Sequence, residues 1–108
     1  METWDVRSFE IEAHHPVVLR SDDETRAIGI HLPAGEQLAE HQVHERSYLV
    51  VVDGEISISQ DGQEVGGGAG LLAHFAPNER RTVRAISDAR LLLVLAPWPG
   101  EGHPSRVS

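Results

Sequence analysis

Seven histidines are the side chains of this sequence with the clearest capacity for chemistry. His41 and His44 lie three residues apart, His74 lies in a β-prone run and His31 ends another. Imidazole is a ligand of zinc, copper, iron and nickel, so two or three of these rings could converge on a metal ion. In the alternative interpretation, His44 is exposed and His74 is packed and hydrogen-bonded. The spacing of the histidines alone does not decide between the two.

The amino-acid composition excludes several kinds of chemistry and several kinds of partner. The chain has 108 residues, the usual size of one domain. It contains no cysteine and no lysine, which excludes disulfides, thiolate metal sites and Schiff-base chemistry. The net charge of −8 would repel a phosphate backbone, so we expect no nucleic-acid partner. No apolar run is long enough to cross a membrane and the N-terminus shows no signal peptide, so we expect a cytoplasmic protein without a membrane partner.

The elements that must position these residues are short strands. Alternating or β-branched runs predict strands at residues 16–20, 25–32, 47–52, 55–59, 71–75, 81–86 and 89–95. Asp53-Gly54 and Asp61-Gly62 predict hairpin turns. A short helix is possible at residues 6–13, and the glycine run at residues 66–70 is expected to be a flexible turn. Many short strands at this spacing favour a sandwich or a barrel.

In two stretches of the sequence the spacing of particular residues matches that of known sequence motifs. Residues 35–54 read GEQLAEHQVHERSYLVVVDG, and residues 70–85 read GLLAHFAPNERRTVRA. They resemble the paired cupin motifs. The first motif is Gly, five residues, His-x-His, three residues, Glu, six residues, Gly. The second is Gly, five residues, Pro-x-Gly, two residues, His, three residues, Asn. Gly35, His41, Gly54 and Gly70 are in register. The resemblance implies an all-β, single-domain, cupin-type jelly-roll β-barrel.

The chain departs from the family at the positions that bind the metal. The resemblance implies four ligands, of which His41 is present, whereas Val43, Ser47 and Arg81 replace the other three. A divalent metal takes neutral or anionic ligands, and a guanidinium is permanently cationic. We therefore expect neither a metal nor another cofactor at these positions. The alternative is a relocated site formed by three histidines, His41, His44 and His74.

The motif positions, together with the alternation of side chains along a strand, imply a pocket inside the barrel. Its expected ligand-binding residues are one His, one Ser and one Arg on an apolar lining, namely His41, Val43, Ser47, Leu49, Arg81 and Val83. A buried arginine must have a partner, because an unpaired buried charge is very costly. The partner is either an internal carboxylate (Glu40, Glu45 or Glu79) or the carboxylate of a bound small organic acid, held by the two-pronged guanidinium.

Three functions fit this pocket. The first is a metal-free barrel that binds or senses a small organic acid. The second is a metal-free isomerase or epimerase in which His41 is the general base and Arg81 holds the anion. The third is a metal-dependent dioxygenase or isomerase with relocated histidine ligands. We favour the first, because the sequence supplies no clear carboxylate to orient His41 as a base.

The resemblance also predicts how the chain is organised. Residues 1–24 form an N-terminal arm that a homodimer can exchange, and residues 25–96 form the barrel. Residues 97–108 form an extended, proline-rich tail, since prolines lack the amide donors that a sheet needs. Within that tail, Trp98 is expected to pack on the barrel of its own chain.

Overall fold

The structure is a computed structural model that describes residues 1–13, 15–22, 24–41 and 45–96, with the backbone alone for residues 39–41. These residues form nine strands and contain no helix. The strands are β1 (Val17–Ser21), β2 (Arg26–Leu32), β3 (Gln37–His41), β4 (Arg46–Asp53), β5 (Glu55–Gln60), β6 (Gln63–Gly68), β7 (Leu72–Phe75), β8 (Arg81–Ala85) and β9 (Ala89–Ala96). Within the described part of the chain, therefore, no helix could span a membrane.

The strands form two antiparallel sheets. The five-stranded sheet has the order β1-β2-β9-β4-β7, and the four-stranded sheet has the order β3-β8-β5-β6. All seven predicted strands are present, and the two-sheet arrangement agrees with the predicted jelly-roll architecture. β1 falls within the predicted arm and pairs with β2 at the edge of the five-stranded sheet. The predicted tail, residues 97–108 with Trp98, lies outside the described residues.

The core lies between the inner faces of the two sheets. β9 alternates strictly, with Ala89, Leu91, Leu93 and Leu95 buried and the residues between them half-buried. β9 is the central strand of its sheet, paired with both β2 and β4, so its apolar residues form the middle of the core. Full burial of one such aliphatic side chain contributes about 1.5–3 kcal/mol. The core therefore fixes which face of each strand points inward.

Gly54 joins the two sheets. The predicted Asp53-Gly54 hairpin is wrong, because β4 pairs with β7 and β9 whereas β5 pairs with β6 and β8. The chain instead crosses from one sheet to the other at Gly54, with a φ of +81°. A Cβ at this position would lie 2.2 Å from the backbone oxygen of Asp88. Asp61-Gly62, by contrast, forms the expected two-residue hairpin loop between β5 and β6.

Two further expectations about local structure are wrong. Gly66, Gly67 and Gly68 are not in a flexible turn, because they lie in β6 and pair with residues 55–57 of β5. Glycine has no side chain to show the alternation of a strand, so the pairing partner decides its conformation. The short helix that the sequence allowed at residues 6–13 is also not formed, since these residues contain turns at residues 6–8 and at residue 13.

Instead, the N-terminal residues pack on the outer face of the five-stranded sheet. Val6 and Ile11 are buried, and a Cβ at Gly29 of β2 would lie 2.9 Å from Ile11 Cδ1. Arg90 of β9 donates hydrogen bonds to the backbone oxygens of Phe9 and Val6. The absence of a side chain at Gly29 therefore makes room for the arm.

A histidine also contributes to docking of the arm. His31 Nδ1 lies 3.2 Å from the Ile11 carbonyl oxygen, and Nε2 lies 2.9 Å from Asp88 Oδ1. In the single chain the arm thus contacts its own barrel. An exchanged arm would make the same contacts with a partner's barrel, so the predicted exchange stays a prediction.

Candidate functional site

The site is built at one end of the two sheets, where two ladders place polar residues on facing strands. In the four-stranded sheet His41 pairs with Arg81, and in the five-stranded sheet Ser47 pairs with Phe75. The guanidinium carbon of Arg81 lies 4.6 Å from the centroid of the Phe75 ring. This cation–π contact joins the two sheets and brings Arg81 to the strand pair that contains Ser47.

Arg81 is almost wholly inside the protein, with 6% of its surface exposed. Burial lowers the pKa of its guanidinium, and the nearby negative charge of Glu79 opposes that effect. An arginine stays protonated in proteins even so, and Arg81 therefore presents a fixed positive charge to the interior.

The Glu79 carboxylate is held by the turn between β7 and β8. It accepts hydrogen bonds from the backbone N–H of Ala76 at 2.7 Å and from Gln60 Nε2 at 2.5 Å. These two bonds lower the pKa of the Glu79 carboxyl, and the charges of His74 and Arg81 lower it further. Glu79 therefore places a negative charge near Arg81, and its two oxygens accept hydrogen bonds from the Ala76 N–H and from Gln60.

Ser47 has a buried hydroxyl. The residue is 0% exposed, and its Oγ makes no hydrogen bond to any of the described residues. Leaving a buried hydroxyl without a hydrogen bond costs about 1–3 kcal/mol, so such a group is well suited to bind a ligand or a water molecule. Glu45, two residues earlier, is also buried, at 2% exposure, and supplies an interior carboxylate.

The structure places the predicted pocket residues as follows. Ser47, Leu49, Arg81 and Val83 are all buried, and Leu49 and Val83 belong to the packed core cluster. For His41, the backbone register opposite Arg81 is described and the side chain is not, and Val43 and His44 lie outside the described residues. The binding role of all six residues stays a prediction.

His74 lies on the outer face of the five-stranded sheet. It is exposed and its ring centroid is 5.1 Å from that of Tyr48, whereas its neighbour Phe75 points inward. The alternative in which His74 is packed is met only by this surface contact with Tyr48, because side chains alternate along β7 and His74 points outward. A metal site inside the barrel would have to form without it. Among the described residues no three His, Asp or Glu side chains are grouped so as to hold a metal ion.

The donor set at the family's metal positions does not fit a metal ion. The buried guanidinium of Arg81 stands at one ligand position and the neutral hydroxyl of Ser47 at another. A fixed cation at a ligand position repels a divalent metal, and a serine hydroxyl is a poor substitute for a carboxylate. The arrangement is suited instead to an anion, to which both groups can donate hydrogen bonds.

A cavity that sequence reasoning missed opens beside Phe75. It has a volume of about 230 Å³ and lies between the β5–β6 hairpin and β7. Its apolar lining includes Ile58, Val65, Leu71, Ala73 and Phe75. We call it the seam cavity, because β6 and β7 are the edge strands of different sheets. The sequence carries no signal for it, since its walls come together only through the packing of one sheet against the other.

The fold and the site define a small jelly-roll protein with a polar group of residues inside the barrel. A family model described as "Cupin domain" matches residues 29–96, and the chain belongs to the cupin family. The suspected membership and the fold class are thereby confirmed. No curated protein matches the chain at a significant level.

Several solved structures share the fold. A double-stranded β-helix protein from Klebsiella pneumoniae is 19% identical with a TM-score of 0.78, and the match covers 93% of this chain and 94% of that one. An RmlC-like cupin from Desulfovibrio desulfuricans is 19% identical with a TM-score of 0.77, covering 90% and 97%. A cupin from Methanocaldococcus jannaschii is 24% identical with a TM-score of 0.71, covering 85% and 89%. At these identities the likeness supports the fold alone.

Proposed function

We propose that this cupin is a binding or sensing protein for a small organic acid, and that Arg81 binds the carboxylate of that acid inside the barrel. The observation that carries the proposal is the burial of Arg81 at a family ligand position, with its guanidinium on the Phe75 ring. Ser47, across the ladder from Phe75, supplies a second hydrogen-bond donor. Because a guanidinium has no acceptor and presents a planar fork of donors, a carboxylate is the complementary ligand.

An internal ion pair is the competing explanation for Arg81, and one observation favours it. Glu45 is buried to the same degree as Arg81, and a buried carboxylate needs a cationic or hydrogen-bonding partner just as a buried arginine does. In that case the barrel interior is structural. The two explanations predict opposite behaviour of the same variant.

The test is a thermal-shift screen of small carboxylic acids against the wild type and Arg81→Met. If Arg81 binds the ligand, one or more acids raise the melting temperature of the wild type, since a ligand that prefers the folded state stabilises it. Arg81→Met keeps most of the side-chain volume and abolishes that shift while the protein stays folded. If Arg81 pairs internally, no acid stabilises the wild type, and Arg81→Met costs about 3 kcal/mol or more because it leaves a buried carboxylate without its cation.

We also propose that the protein is a homodimer whose subunits meet through the outer face of the five-stranded sheet. Its central outward residues are Val50, Val52, Leu92 and Val94, all half-buried, and at its edge Tyr48 and Leu72 are 37% and 60% exposed. The outer face of the four-stranded sheet is polar, with Gln37, Ser59, Thr82 and Arg84. The N-terminal arm covers the apolar face around Gly29 and Arg90, and the apolar residues of β4 and β7 beyond it are suited to a partner. A cytoplasmic location stays a prediction.

The dimer is tested by Val94→Asp on the apolar face, with Thr82→Asp on the polar face as the matched control. Wild type and Thr82→Asp are expected to be dimers at tens of micromolar in light scattering, and Val94→Asp is expected to be a folded monomer, since two carboxylates would face each other across the interface. A monomeric wild type would contradict the proposal. So would an effect of equal size from both substitutions.

A further inference from the structure

The seam cavity is lined mainly by apolar side chains, whereas the interior site around Arg81 is polar. The polar residues of the cavity lining are His74 and two glutamines. One of these, Gln60, already donates through Nε2 to the Glu79 carboxylate at 2.5 Å and to the Arg80 carbonyl oxygen at 3.3 Å. At its opening, Val65 and Leu72 are 54% and 60% exposed. An apolar hollow with exposed apolar residues at its mouth favours an apolar occupant.

Phe75 connects this cavity to the cation. Its side chain lines the seam cavity, and the Arg81 guanidinium lies over its ring at 4.6 Å. A molecule in the cavity therefore contacts the same aromatic ring that Arg81 covers. Arg81 is not itself part of the lining, so its positive charge lies behind the Phe75 ring, and the combination favours a molecule with an anionic head and an apolar body.

A second hollow, of about 430 Å³, lies around the tip of the β5–β6 hairpin and the start of β8. Its lining is polar and includes Arg81 itself, together with Arg80 and the carboxylates of Asp61 and Glu64. Arg81 thus lines this polar hollow and also covers the Phe75 ring of the seam cavity, so an acid whose head binds Arg81 can place its apolar part in the seam cavity and not among these carboxylates.

We propose that the ligand is a monocarboxylic acid whose aliphatic or aromatic part occupies the seam cavity, and that Ala73 sets the length this part can have. The inference rests on the proposed role of Arg81 and extends it to the class of acid. At about 30 Å³ for a water-sized group in a liquid, 230 Å³ accommodates roughly six to eight heavy atoms. The expected ligands are thus acids whose apolar part has about six to eight carbons, such as octanoate or phenylacetate, and not acetate or a long-chain fatty acid.

Ala73 is the residue that limits this size. It lies in β7 opposite Leu49 of β4, and it lines the cavity with a side chain of one carbon. Leucine at this position would add three carbons and fill much of the space that the ligand's apolar part needs. Because Ala73 is not part of the Arg81 carboxylate site, such a change should leave the binding of the anionic head intact.

The experiment measures the dissociation constants of acetate, hexanoate, octanoate and dodecanoate for the wild type, Ala73→Leu and Ala34→Leu by ligand-detected NMR and calorimetry. Ala34→Leu makes the same change at an exposed turn position. For the wild type, binding should tighten about fourfold for each CH₂ up to octanoate and level off at dodecanoate, as burial of one CH₂ in an apolar site predicts. Ala73→Leu should weaken hexanoate about tenfold or more and leave acetate unchanged, while Ala34→Leu behaves like the wild type.

The outcomes separate this inference from the proposed function. If no acid binds to the wild type, the role of Arg81 itself fails. If acids bind in an Arg81-dependent manner but affinity does not rise with chain length, or if Ala73→Leu weakens acetate and hexanoate equally, the seam cavity is not the ligand site. Should Ala73→Leu not fold, Val65→Ala gives the converse test, because a larger cavity should tighten dodecanoate relative to octanoate. An unchanged ratio of those two constants would overturn the inference.

Discussion

Gly54→Ala is expected to lower the free energy of unfolding by about 3 kcal/mol or more, because two separate costs meet at this glycine. The residue has a φ of +81°, which an alanine adopts only with strain. In addition, its Cβ would lie 2.2 Å from the Asp88 backbone oxygen, so the crossing between the sheets would have to shift. Urea denaturation followed by circular dichroism measures the loss.

Gly62→Ala is the matched control for this substitution. Gly62 has the same φ of +81°, but a Cβ there would meet nothing within 4 Å. It should therefore cost only the strain of the positive φ, about 1 kcal/mol. Equal losses at the two positions would show that the close approach of Asp88 to Gly54 is not present in the folded protein.

The second large effect is the creation of a metal site by restoring the residues that this chain lacks. The triple variant Val43→His, Ser47→Glu, Arg81→His returns three ligands to the family positions beside His41. It is expected to bind about one zinc or nickel ion per chain in elemental analysis, because the spacing of the motif is intact and the ligand set becomes three imidazoles and a carboxylate. The wild type is expected to bind none stoichiometrically.

The control for the triple variant keeps Arg81. The double variant Val43→His, Ser47→Glu has three of the four ligands, but the guanidinium remains in the site and repels a divalent cation. It should bind metal far more weakly than the triple variant. Equal binding by the two variants would contradict the idea that the charge of Arg81 keeps metal out.

Much of the fold follows from the sequence because the strands with strong alternation are also the strands at the centre of the sheets. β4 and β9 are the clearest examples, since their inward residues fill the core. β3 and β6 could not be predicted from their own residues, because β6 is half glycine and is held by its pairing with β5. At Asp53-Gly54 the chain turns with Gly54 at a positive φ, as the sequence predicts, but the two flanking strands do not pair with each other. The choice of pairing partners depends on the whole fold and not on the turn sequence.

The candidate site was accessible to sequence reasoning in part. The motif spacing places Ser47 and Arg81 inside, and both are buried. The contact of Arg81 with Phe75 and the seam cavity could not be foreseen, since they depend on the packing of one sheet against the other. The outward position of His74 follows from alternation along β7 once the inward position of Phe75 is known.

One measurement tests the central claim directly: a crystallographic difference map around Arg81, from the purified protein crystallised with saturating hexanoate. The account predicts carboxylate density about 3 Å from two guanidinium nitrogens of Arg81, with the aliphatic chain extending past Phe75 into the seam cavity. If the Glu45 carboxylate instead forms an ion pair with the Arg81 guanidinium and no ligand density is present in the barrel, the proposed role of Arg81 is wrong. The interior of this cupin is then structural.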